Sequence, residues 1–279
     1  MIVKHKTKTQ DKSVKAEPLE IHIEALRHMI LGCLITVIAG AAVCYELFKS
    51  DLMEIALKPL EGIDSEIIYT SVSESFTTEM LVALLAGIVV TTPVTFGFIW
   101  HFISPAFFRK ERILIAVYTV VAVVLFSAGV CFGYFVMMPF SLDFLLNVSS
   151  IEASAMLSVR GYIGFFCKIL VSFGIVFEIP LVILFLVKFN IVSIKTLGKI
   201  RKYVLLASFC IAAIITPPDV VSQIYVAVPM YLMYELGMLS GKLQICIKRM
   251  SVKRKQRRSQ RKERKNGRKG NKDDKAELC

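Results

Sequence analysis

The chain has 279 residues, 55% of them in the hydrophobic set, with a mean hydropathy of +0.62 and a formal net charge of +12. So much apolar side chain, gathered in long runs, exceeds what a soluble domain of this length can enclose, and this excludes the soluble globular and disordered classes. The charge is concentrated outside the apolar runs, as polar flanks of membrane spans require.

Met1 to Pro18 is polar and lysine-rich, with no short apolar core and no small-residue cleavage site, so the first span is expected to serve as its own uncleaved targeting signal. The stretch just before Met29, with His22 and a loose polar sequence ahead of it, is expected to fray. Met29–Tyr45 is then uncharged for 17 residues. An external segment over 49–75 follows, in which Pro59, Glu61, Asp64, Glu66 and Glu74 suit a surface loop capping a bundle. Met80–Phe108 is uncharged for 29 residues, with its membrane part ending near Trp100, and Ile113–Leu142 for 30, with Pro139 near its end. Runs of this length pass the roughly 18 residues that suggest a bilayer span. After a second external stretch at 143–160, Gly161–Val187 is apolar except for Lys168 and Glu178. Tyr203–Pro218 and Val220–Tyr234 are shorter, at 16 and 15 residues, and Thr216-Pro217-Pro218-Asp219 lies between them.

Two adjacent prolines lack donors, and Asp219 suits a helix N-cap, so this junction predicts a turn between two short helices rather than one kinked helix. Basic residues support that choice. With six spans and both termini inside, 30 Lys and Arg face inward and only Lys49, Lys58 and Arg160 face outward. Five spans would export the 16 basic residues of 240–279, against the positive-inside rule. The expected architecture is an all-α integral membrane protein with six transmembrane helices, N-in and C-in, the last two short. Its parts are a cytoplasmic segment 1–28, a membrane domain 29–241 and a basic tail 242–279. A 16-residue helix covers roughly 24 Å, less than the roughly 30 Å hydrocarbon core, so this hairpin should thin the bilayer locally. The tail is almost devoid of apolar residues and is expected to be disordered, lying on anionic lipid rather than nucleic acid.

The sequence offers little to catalysis. Seven cysteines, at 33, 44, 131, 167, 210, 246 and 279, form no CxxC pair, and the four histidines have no metal-ligand spacing. Neither a phosphate loop nor a nucleophile elbow is present. No enzyme activity, cofactor or metal is expected.

The intramembrane charges stand out instead, because a charge within a span is costly and defaults to a functional role. Glu178 lies in Phe177-Glu178-Ile179-Pro180, where the missing N–H of Pro180 should bend the helix beside the carboxyl. Lys168 is ten residues away, about 15 Å along a helix, so the two cannot pair directly and each needs its own partner. Alone, Glu111, Glu24 and Arg27 would pass for solvated juxtamembrane charges.

Several runs are similar, in order and spacing, to the TatC family. Phe173-Gly174-Ile175-Val176-Phe177-Glu178-Ile179-Pro180 resembles its FGxxFExP. Arg201-Lys202-Tyr203, Thr216 to Gln223, and Pro229-Met230-Tyr231 with Tyr234-Glu235 resemble its fifth and sixth helices. Phe102 to Arg112 resembles its first cytoplasmic loop, and Phe132-Gly133-Tyr134-Phe135 with Pro139 the end of its third helix. The likeness runs from about Leu19 to about Leu243. It implies a receptor for twin-arginine signal peptides in the plasma membrane, working with single-span TatA- and TatB-type partners and further copies of itself to transport folded proteins on the proton-motive force. Glu111, Glu24, Arg27, Phe102 and Pro105 would then bind the signal peptide, and Glu178, Gln223, Asp219 and Pro59 would meet partners within the membrane. Two positions depart from the pattern. His22-Ile23-Glu24-Ala25-Leu26-Arg27 has its glutamate one residue earlier than the family's HxxELR, about 100° around a helix. If the stretch frays, Glu24 can still reach the same basic group. Met80 stands where the family often has a lysine.

Two other classes fit parts of the pattern. A secondary transporter would use broken helices with intramembrane Glu and Lys, but it predicts inverted repeats, and none is visible. A membrane-anchored regulator would use the basic tail on nucleic acid.

Overall fold

The computed structural model describes residues 19–60, 67–68, 71–103, 112–147, 157–216 and 220–276. The calls on Pro105, Glu111 and Asp219 therefore lie outside the described residues, as do Glu61, Asp64 and Glu66. The order is α1 (Leu19–Leu57), a 3-10 turn (Lys58–Leu60), β1 (Ile67–Ile68), α2 (Val72–Ile103), α3 (Arg112–Phe132), a π turn (Gly133–Met137), α4 (Met138–Asn147), β2 (Leu157–Ser158), α5 (Val159–Phe177), α6 (Ile179–Lys188), α7 (Ile194–Ile215) and α8 (Val220–Ala276). Because α3 continues through the π turn into α4, and α6 follows α5 at Glu178, these elements make six helical rods.

Among the described residues, four stretches are long and apolar enough to cross a membrane: Ile23–Leu60, Ser73–Phe102, Ala116–Phe144 and Val159–Lys188. The two remaining rods hold the short apolar stretches expected from sequence, but within longer helices. The 22 residues of α7 begin with Lys195, Lys199, Arg201 and Lys202, and only its second half is uncharged.

Small residues set the closest crossings, since a missing side chain lets backbones approach where lipid supplies no hydrophobic drive between helices. A Cβ on Gly87 of α2 would sit 2.5 Å from the backbone nitrogen of Ala41 on α1. Gly40 lies against Thr91 in the same seam. The core is built around α5, whose Ile163, Phe166, Ile169, Leu170 and Phe173 are buried.

One end of the bundle is capped by the segments that follow α1 and α4. Past a non-helical residue at Phe48 (φ −134°, ψ 16°), the end of α1 lies against the bundle, with Ala56 buried. The last carbonyls of a helix lack intrahelical donors. Here Tyr134 Oη donates to the Ile55 carbonyl at 2.9 Å and Tyr162 Oη to that of Ala56 at 2.7 Å. β1 pairs with β2 in parallel, so both segments meet in one cap.

Three expectations change. Glu74 is no surface acid: it is 1% exposed and ties the cap together. The stretch before Met29 is helical from Leu19 rather than frayed, in keeping with its helix-forming Leu, Glu, Ala and Arg. The tail is helical to Ala276 rather than disordered, for Lys, Arg, Gln and Glu are strong helix formers and no proline follows Pro229.

Candidate functional site

Glu178 occupies the junction between α5 and α6. Its N–H reaches back three residues to the Ile175 carbonyl at 3.1 Å, and the Val182 N–H restarts the regular pattern on the Glu178 carbonyl at 2.9 Å. Pro180, at the start of α6, explains the tightened turn, since it has no N–H to continue the ladder. Neighbouring helices clamp the break through glycine. A Cβ on Gly129 of α3 would meet Phe177 Cβ at 2.9 Å and press on the Phe173 carbonyl. One on Gly237 of α8 would come within 3.0 Å of Pro180 Cα. Within this clamp Glu178 Oε1 is buried with no hydrogen-bond partner. An unsatisfied buried carboxyl oxygen is a rare and expensive feature.

Gln223, by contrast, is satisfied inside the chain. Its Nε2 donates to the Phe209 carbonyl at 2.8 Å and joins α8 to α7. Pro59 is half-buried in the 3-10 turn beside buried Leu60, far along the chain from Glu178.

The opposite end of the bundle to the cap carries the other candidates. Trp100 at the end of α2, Tyr118 near the start of α3 and Phe185 near the end of α6 form an aromatic cluster, with ring centroids 5.1–5.9 Å apart. Lys188 Nζ lies 4.9 Å from the Tyr118 ring centre, within cation–π range. This cluster joins the end of α2 to the start of α3 and the end of α6. Phe102, half-buried, is on the last turn of α2.

Antiparallel packing brings the start of α1 to the same place. Gly32 lies against the Phe98 ring, with a Cβ there meeting it at 3.5 Å, and Cys33 Sγ is 3.9 Å from the Thr95 carbonyl. Eight residues before Gly32, roughly 12 Å along the axis, comes Glu24. It is therefore level with the end of α2. Its carboxylate is exposed and makes one loose contact, 4.0 Å to His28 Nε2, while Arg27 is also exposed.

Some contacts escaped sequence reasoning. Arg201 Nη2 pairs with Glu235 Oε2 at 3.0 Å, Tyr231 Oη donates to Glu235 Oε1 at 2.8 Å, and Tyr234 Oη donates to the Leu197 carbonyl at 2.6 Å. These link α7 to α8 near the start of α7, and only their recurrence within one motif set hinted at them. Glu74 had a clearer signal. Ser71-Val72-Ser73-Glu74 is an S-x-x-E capping box ahead of an apolar run, and the Ser71 N–H donates to Glu74 Oε2 at 3.3 Å. The other oxygen, Oε1, accepts from Ser158 Oγ at 2.8 Å and from the Arg160 N–H at 2.7 Å.

Six helical rods, four of them with apolar stretches long enough to cross a membrane, define a polytopic α-helical membrane protein. Comparison with known proteins narrows the class. The family described as Sec-independent protein translocase protein (TatC) matches residues 21–229. A Sec-independent protein translocase protein TatC from Desulforapulum autotrophicum is 38% identical over 229 residues, covering 81% of this chain and 84% of that one. The TatC protein of an Escherichia coli strain is 32% identical over 234 residues, covering 82% and 90%. A crystal structure of a twin arginine translocase receptor, TatC, superposes with a TM-score of 0.74 at 32% identity, covering 80% of this chain and 98% of that one. The chain belongs to the TatC family.

Proposed function

We propose that this chain is the core subunit of a twin-arginine translocase and its receptor for twin-arginine signal peptides. The observation that carries the reading is the register of α1 on α2, in which Glu24 is level with the end of α2, the helix that Glu111 follows in the sequence. Two carboxylates at one helix end suit two guanidinium groups, each of which takes a bidentate pair that lysine cannot reproduce. In this reading Phe102 and Pro105 meet the apolar part of the signal peptide, and Arg27 balances the charge of the carboxylates. Glu24 takes part from a helical segment, its long side chain covering the offset from the family position at Ala25.

Both termini face the cytoplasm, in line with the inward bias of basic residues. The signal site then lies on the cytoplasmic face and the cap on the outer face of the plasma membrane. Glu178, with its unpartnered oxygen, receives a polar group from a single-span TatA- or TatB-type protein, and the turn at Asp219, Gln223 and Pro59 line further contacts with partners or other copies. Transport draws on the proton-motive force. The protein acts as a translocase component rather than as an enzyme.

The test is direct binding to the purified full chain. A twin-arginine peptide should bind and its twin-lysine variant should not. Glu111→Gln should weaken binding by roughly 1.5–3 kcal/mol, the worth of a charge-assisted hydrogen bond. Equal affinity for both peptides would remove the receptor role.

A further inference from the structure

Lys168 is an intramembrane cation that the signal site does not use. It stands nine residues in from Val159, roughly 13 Å along α5, and its side chain is exposed. Neither Lys168 nor Arg160 pairs with a carboxylate among the described residues. Both line a cavity of about 590 Å³ between the start of α5 and the end of α7. A cation at this depth is costly unless a counter-charge meets it.

The cavity is built rather than incidental. Glu74 accepts the backbone N–H of Arg160, which fixes that residue at the mouth and leaves its side chain exposed. Glycine opens the wall of α5: a Cβ on Gly164 would meet nothing within 4 Å. Thr216, the last described residue before the α7–α8 turn, lines the same cavity. The end of α7 is therefore level with residues 160–168 of α5, and a helix that ends so early lets the membrane's polar boundary dip inward on this side. Headgroups that follow the dip arrive at Lys168. Arg160 and Lys168 are two turns apart, about 12 Å, and their stems can extend toward a single group between them. Leu142, Phe165 and Ile214 supply an apolar wall beside the charges, as an acyl chain requires.

We propose that this cavity binds the phosphate of an anionic phospholipid between Arg160 and Lys168. The test reconstitutes the full chain in nanodiscs containing a photoreactive phosphatidylglycerol, with labelling mapped by peptide. Labelling should fall on 157–168 and 214–216. Lys168→Gln should reduce it about fivefold, and removal of both charges about twentyfold, at the strength of a basic residue near an anionic surface. Gly164→Leu fills the cavity without touching either charge. It should reduce labelling at unchanged thermal stability, so a misfolded charge variant cannot mimic the result. Equal labelling of the double variant, or equal labelling by a phosphatidylcholine probe, would overturn the proposal. Displacement by millimolar inorganic phosphate would replace the lipid with a free anion. Loss of labelling when single-span partner proteins are co-reconstituted would replace it with a partner helix. Twin-arginine peptide binding should not change in any of these variants, so this site and the receptor role can fail separately.

Discussion

Two buried carboxyls, Glu74 in the cap and Glu178 at the α5–α6 break, meet opposite fates. Glu74 is 1% exposed, yet both of its oxygens are occupied by donors from three places in the chain: Ser71, Ser158 and the Arg160 backbone. Glu178 is less buried, yet its Oε1 has no donor. Burial alone therefore does not distinguish a structural acid from a contact acid. Hydrogen-bond satisfaction does, because an unsatisfied buried oxygen costs about 1–3 kcal/mol that an incoming donor can recover. Glu74 spends its full capacity inside the fold, which makes it an anchor. Glu178 leaves Oε1 without a donor among the described residues, which is what its proposed contact with a partner would use.

The largest expected effect is at the anchor. Glu74→Ala strands the Ser158 hydroxyl and two N–H groups and should lower stability by about 3–5 kcal/mol, seen as a large drop in unfolding temperature in detergent. A loss below about 1 kcal/mol would end the distinction drawn here. Gly129→Leu comes next. Its side chain would enter the Phe173 carbonyl and Phe177, so α3 must move away from the break, at about 2–3 kcal/mol. That variant should also disturb partner crosslinks at Glu178 while leaving the cap intact. Glu74→Gln sharpens the comparison: it keeps one acceptor and loses the charge, so about 1–1.5 kcal/mol should go. Glu178→Ala should change stability least, within about 0.5 kcal/mol, because the packing it removes is offset by relief of the unsatisfied Oε1. Crosslinks from neighbouring positions to the single-span partner, and transport, should nevertheless be lost. A Glu178→Ala protein that is strongly destabilised but still crosslinks normally would make Glu178 the structural acid after all.

The tyrosines show the same division of labour by reach. Tyr134 and Tyr162 cap the end of α1 from 79 and 106 residues away, and Tyr234 caps the Leu197 carbonyl across 37. Nothing in their own neighbourhoods announces those partners. Gln223 is comparable: its place within the bundle followed from the family resemblance, but its bond to Phe209 required α7 and α8 to be laid side by side.

What the sequence determined by itself was whatever depends on a few consecutive residues or on the bilayer. The apolar runs place the spans, because hydrocarbon requires long uncharged helices and charge must stay outside them. The break after Glu178 follows from the ring of Pro180. The family and its ordered motifs were legible for the same reason, being contiguous strings. The tertiary structure decided which buried charges are satisfied. Only packing could turn Glu74 from a loop acid into the centre of the cap, join Arg201 to Glu235, and leave Lys168 facing an open cavity. A hydrogen bond forms over about 3 Å of space, whatever the distance along the chain. Thus the sequence located the polar residues, and the fold selected those that remain free to bind.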